Sequence, residues 1–181
     1  MTLTDIANLA LEDIGARSVS NIDSDDFDAR RIKRRIYKTI DDIAVLRNWT
    51  CLIKNVELVL SSTDERGEGH FLLPRSLVQI IDTFPVCEWR REGKEIVALT
   101  DKLAIKCTVI SYNPDDWDAN FRGAVLSKLT ADIVFQTVGN AQLAAQRLQL
   151  ADRDIARYIS NDVFAENPRR VQKKPEWWSG C

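Results

Sequence analysis

The hydrophobic period of this chain changes twice. Up to Trp49, apolar residues recur at three- and four-residue steps. Between Cys51 and Tyr112 they alternate, and beyond Asp115 the longer step returns. The first period belongs to helices with one buried face and the second to half-buried strands. The expected fold is therefore α+β and mainly helical. Four helices form a layer, a β-strand lobe is inserted between the second and third, and an extended carboxy-terminal tail follows. With 181 residues the chain makes one domain with an insertion. The expected division is 1–49 and 114–165 for the helical part, 50–113 for the lobe and 166–181 for the tail.

The first helix is expected from Thr4 to Ile14, capped by Thr2 or Thr4 and stopped by Gly15. Leu3, Ile6, Leu9, Ala10 and Ile14 form its apolar face. The second is expected from Asp23 to Arg47, about 36 Å at 1.5 Å per residue. Ala29, Ile32, Ile36, Ile40, Ile43 and Leu46 repeat along it. Acids crowd its start (Asp25, Asp26, Asp28) and a basic run follows (Arg30, Arg31, Lys33, Arg34, Arg35, Lys38). Strands are expected over 51–60, 77–84, 86–90, 95–99 and 103–111, with 61–70 a mobile loop. The third helix begins near Asp115–Asp118 and buries Phe121, Ala124, Val125, Leu129 and Ile133, with Val138 at its end. Gly139-Asn140 turns the chain into a fourth helix over 141–164, with Ala144, Leu148, Ala151, Ile155, Tyr158 or Ile159, and Val163 in register. Trp49 is expected in the core.

Composition narrows the chemistry. The net charge is -2, so nothing drives the whole chain toward nucleic acid or an anionic membrane. Four cysteines without a CxxC pair argue against a disulfide framework or structural zinc and fit a reducing cytoplasm. One histidine, His70, leaves little material for a metal centre or a Ser-His-Asp triad. No apolar run is long enough for a membrane span, and residues 1–15 lack the basic start of a secretory leader. No cofactor, catalytic residue or metal ligand is assigned.

Carboxylates cluster at Asp64, Glu65 and Glu68 and at Asp115, Asp116 and Asp118. A pair at the right separation serves a glycosidase, but acids are favoured at a helix start and in a turn for structural reasons. The basic run can meet phosphates or acids of a neighbouring copy, and base stacking on it is not expected. The segment Asn167–Ser179 holds Arg169, Arg170, Lys173, Lys174, Trp177 and Trp178. Two adjacent indoles are costly to leave in water, and aromatic and arginine side chains anchor interfaces. The segment reads as a docking arm.

Four passages resemble the head-to-tail adaptor family of short-tailed bacteriophages, the tail tubular protein A family. They are LTDIANLALEDIGARSV, VLRNWTCLIKNVEL, FLLPRSLVQIIDTF and ISYNPDDWDANFRGAVLSKLTADI, spanning about residues 3–140 in the family's order. The resemblance implies a non-enzymatic structural protein of the virion, assembled in the host cytoplasm. It implies a ring of twelve copies between the capsid portal and the tail nozzle, through which double-stranded DNA passes. The helical layer would build the ring, through Asp25, Asp26, Arg30, Arg31, Arg34 and Arg35. The loop with Asp64, Glu65, Arg66 and Glu68 would face the nozzle, and the tail would dock on the portal. Two other readings stay open. One is a cell-wall polysaccharide hydrolase of the phage tail using Asp64, Glu65, Asp115 and Asp116. The other is a small DNA-binding regulator using the basic helix 30–38.

Overall fold

A computed structural model describes residues 1–138 and 141–166. The first helix, α1 (Leu3–Glu12), starts where its sequence demands. Thr2 Oγ1 accepts the Asp5 amide at 3.1 Å, and Asp5 Oδ2 accepts the Thr2 amide at 2.7 Å, a reciprocal cap. It ends as Gly15 takes φ +69°, which lets Ala16 N–H reach the Leu11 carbonyl. Ile6, Ala7, Ala10 and Leu11 are buried, whereas Leu9, expected on that face, is 39% exposed. At 100° per residue Leu9 falls well outside the arc the other four share. Asn8 then pins the following loop by exchanging two hydrogen bonds with the Val19 backbone, both 2.9 Å.

Helix α2 (Phe27–Ala44) is shorter than its apolar repeat suggests. Its 18 residues span about 27 Å. Asp23 lies before the helix and pairs with Lys33 at 2.8 Å. Ala29, Ile32, Ile36, Ile40 and Ile43 are buried as expected, but Leu46 lies past the helix end and is exposed. Trp49 is fully buried, donates from Nε1 to the Ile43 carbonyl at 2.8 Å and meets Phe121 edge-on at 5.4 Å.

Seven strands follow among the described residues: β1 (Ile53–Glu57), β2 (Val59–Thr63), β3 (Gly69–Leu72), β4 (Leu77–Phe84), β5 (Trp89–Glu92), β6 (Glu95–Ala98) and β7 (Ala104–Val109). They make two antiparallel sheets, ordered β1-β7-β4 and β2-β3-β6-β5. Leu58 alone separates β1 from β2, so the chain changes sheets there. Residues 61–70, expected as a mobile loop, are instead the end of β2, a tight turn and the start of β3. Gly69 is required in that hairpin, since a Cβ there would stand 2.6 Å from the Thr100 carbonyl oxygen. Phe71, Ile96, Ala98, Leu103, Ile105 and Cys107 form the core of the strands.

Past a short turn at Pro114–Asp116, Asp118 Oδ1 accepts the Phe121 amide at 2.8 Å and opens α3 (Ala119–Val138). Phe121, Ala124, Val125, Leu129 and Ile133 are buried; the Val138 side chain lies outside the described residues. Helix α4 (Ala141–Glu166) packs back along α3, with the Tyr158 ring where Gly123 has no side chain. Helix α3 touches α1, α2 and α4, and one apolar cluster joins all four. Ala151 and Ile155 are buried as expected, while Leu148 and Val163 are 45% and 49% exposed. Among the described residues the fold is mixed α+β, with four helices and two antiparallel sheets.

Candidate functional site

The charged run on α2 divides by helical geometry. Residues four apart share a face and neighbours lie 100° apart. Arg30 and Arg34 therefore share the solvent face of α2 with Phe27 and Val45, which are 68% and 62% exposed. Arg31 and Arg35 lie on another flank. With Asp26 and Asp28 they line a groove of about 870 Å³ beneath the loop after α1, above Leu11 and Ile133. Asp25 and Asp26 are exposed at the helix start. The acids before α2 are partly used within the chain, because the Asp23 hydrogen bond raises the Lys33 ammonium pKa. Tyr37, the aromatic inside the basic run, packs against Tyr112 at 5.0 Å instead of offering an open face. Tyr112 in turn donates to Asp41 at 2.7 Å, which with burial raises its hydroxyl to about 12.

The hairpin tip is ordered by its own carboxylate. Asp64 Oδ1 accepts the amides of Arg66 and Glu68, each at 2.9 Å, and these bonds hold its pKa below the usual value. Glu68 receives both Arg90 amino groups at 2.7 Å, which lowers its pKa likewise. Arg90 also binds Glu92 at 2.7 Å, so β5 and the tip form one charged ladder. Only Glu65 and Arg66 of the four expected tip residues point fully into solvent. Asp116 accepts the Ser111 hydroxyl, and Asp115 lies 3.3 Å from the Met1 amino group.

An ion pair with a fully buried carboxylate joins the turn after α2 to α4. Arg47 Nη2 lies 3.0 Å from Asp162 Oδ2, and Asp162 has no exposed surface. Arg47 Nη1 donates to the Ile159 carbonyl at 3.0 Å, and the Thr50 amide donates to Asp162 at 3.3 Å. Burial outweighs the guanidinium and raises the Asp162 carboxyl pKa. Nearby, Thr108 of β7 donates to Asn48 at 2.8 Å, tying the strands to the same corner. Sequence reasoning missed this pair. Its signal was a carboxylate seven residues after Ile155, on the core register of α4.

Burial raises the Cys51 thiol to about 11 and pushes Cys107 up as well. Among the described residues no group of His, Cys, Asp or Glu is arranged to hold a metal, and no described helix is long and apolar enough to cross a membrane. The tail residues Arg169, Arg170, Lys173, Lys174, Trp177 and Trp178 lie outside the described residues. No model of a known protein family matches the chain, and no curated protein matches it.

Proposed function

We propose that this chain is a structural virion protein, a head-to-tail adaptor that forms a ring of twelve copies between the portal and the tail nozzle and extends the DNA channel. In this reading residues 1–49 and 114–165 are the ring-forming helical domain, 50–113 is an inserted lobe, and 166–181 docks on the portal. The proposal starts from the four resembling passages and their order. The observation that carries it structurally is the solvent face of α2. There an exposed Phe27 stands among Arg30 and Arg34, the residue types that anchor protein interfaces. Of the six expected ring residues, Arg30, Arg34, Asp25 and Asp26 are exposed and suit such a contact directly. Glu65 and Arg66 at the hairpin tip are the nozzle-facing positions that remain open to solvent.

The hydrolase reading has less support. A general acid needs a raised pKa at neutral pH, whereas Asp64 is held low by turn amides. The regulator reading needs a continuous basic face, and the α2 run is divided between two flanks. A channel protein gains from weak phosphate attraction, since DNA must slide, and a net charge of -2 suits that.

The test is co-sedimentation of the full chain with the portal of the same phage, beside a chain ending at residue 166. The full chain is expected to travel with the portal, and the shortened chain to bind at least about tenfold more weakly, about 1.4 kcal/mol. No association of the full chain rejects the adaptor reading, and equal binding by both chains rejects the docking tail.

A further inference from the structure

The four-stranded sheet ends in two unlike edges. β5 is short and charged: Arg90 binds Glu68 and Glu92, and Arg91 donates to the Gly93 carbonyl at 3.2 Å. Such an edge resists further pairing. β2 has neither device. It holds no charge and no proline, its residues are all exposed, and among the described residues it pairs with β3 alone. Of the described edge strands in the two sheets it is the one without a charged residue, since β1 carries Lys54 and Glu57 and β4 carries Asp82. About half of its backbone N–H and C=O groups point away from β3. They form a template for another strand.

This edge is apolar on both faces at its start. Val59 lies directly opposite Leu72, and Leu60 opposite Phe71. Neighbouring residues of a strand point to opposite faces. Val59 and Leu72 therefore share the outer face, 68% and 48% exposed. Leu60, 40% exposed, shares the inner face with the buried Phe71, and a Cβ on Gly69 would meet both, at 3.0 and 2.9 Å. A register shift between Leu60 and Ser62 bends the strand beyond them. The edge thus suits a short, extended, uncharged segment with two consecutive apolar side chains, one for each face.

The tail sequence carries such a segment. Trp177 and Trp178 are adjacent and followed by Ser179, and residues 176–181 hold no proline, so each can donate to a ladder. The segment also starts within reach. Asp162 on α4 accepts the Thr50 amide at 3.3 Å. From Thr50 to Val59 the chain covers at most about 26 Å, one 3₁₀ turn followed by strand. Trp177 lies eleven residues beyond Glu166, up to about 36 Å of extended chain. We propose that residues 176–179 add to β2 of their own chain as a short fifth strand. One indole covers Val59 and Leu72, and the other covers Leu60 at the rim of the Phe71 core. The tether holds the tail at a high effective concentration, so a contact this small forms within one chain where it would be weak between two. It covers an edge that would otherwise recruit strands from other molecules. The inference concerns the lone chain and goes beyond the adaptor reading, in which β2 is where the arm rests before it meets the portal.

The experiment is hydrogen–deuterium exchange of the full chain beside two full-length variants, each sized by sedimentation velocity. One carries Trp177→Ser with Trp178→Ser and the other Val59→Lys. Val59 is exposed, so Val59→Lys is expected to keep the parent's circular dichroism; should it fail to fold, Val59→Ser takes its place. In the parent, the amides of β2 and of residues 176–179 are expected to be protected together. In the tryptophan variant β2 exchange is expected to quicken at least about tenfold, and in Val59→Lys the 176–179 amides quicken likewise, while β3 and β6 exchange as in the parent. Equal β2 exchange in the parent and the tryptophan variant overturns the proposal. So does a parent whose 176–179 amides exchange at the rate of an open chain. Protection that rises with protein concentration overturns it too, because the occupant is then a second copy. Portal binding is absent from all three readouts, so the adaptor reading stands or falls separately.

Discussion

Among single residues, the Arg47–Asp162 pair decides most. A charge buried without its partner is costly, and breaking such a pair from one side costs about 3–5 kcal/mol. Arg47→Met is expected to lower stability by about that amount in urea unfolding. The double variant Arg47→Met with Asp162→Leu is expected to lose clearly less, because no orphaned charge remains. The pair also sets a pH dependence. Burial raises the folded-state pKa of Asp162 above its ordinary value, so the folded chain holds that proton more tightly than the unfolded chain. This contribution is fully present below the unfolded value and is lost as pH rises through the folded one. Asp162→Asn abolishes the titration. The stability difference, parent minus Asp162→Asn, is therefore expected to shrink as pH is raised from about 3.8, the ordinary aspartate value, toward neutrality. A difference that grows over that range would show the guanidinium dominating burial. Asp64 and Glu68 carry the opposite sign, with lowered values, so what they add is lost as pH falls.

Among the elements, the β2–β3 hairpin is the sharpest case. Gly69→Ala forces a methyl group against the Thr100 backbone oxygen, which cannot swing aside as a side chain would. A loss of about 1–3 kcal/mol is expected in thermal or urea unfolding, and an unchanged midpoint would mean that β3 moves freely. The same hairpin shows what the sequence could and could not reveal. The polar, glycine-bearing stretch 61–70 carries little alternation, so it reads as a loop. Its order comes from Asp64 capping its own turn and from Arg90, 22 residues on, holding Glu68. Helix α2 was legible because isoleucines mark its buried face. Its ends were not, because Asp23 lies ahead of the helix in an ion pair with Lys33 and Leu46 continued the register past the last turn. Arg30 and Arg34 were legible as surface residues, but their separation from Arg31 and Arg35 needed the helix in place. The Arg47–Asp162 pair was hidden because its members are far apart in the chain and meet only once α4 returns along α3.

For the molecule as a whole, one apolar cluster joins all four described helices, and Val45, Leu46, Val163 and Phe164 stand in solvent outside it. A ring needs two unlike surfaces that meet head to tail, and in the proposed adaptor role the exposed charges of α2 set register and orientation more than affinity. Raising the salt concentration is then expected to slow association more than it weakens completed assemblies, as read by light-scattering kinetics against dilution-induced dissociation. The most direct test of the proposed adaptor role is electron microscopy of the full chain incubated with the portal it is proposed to bind. A closed twelve-copy ring seated on the portal is expected, with an open central channel continuous with it. Portals that remain bare, with the chain dispersed as single molecules, would contradict the adaptor role.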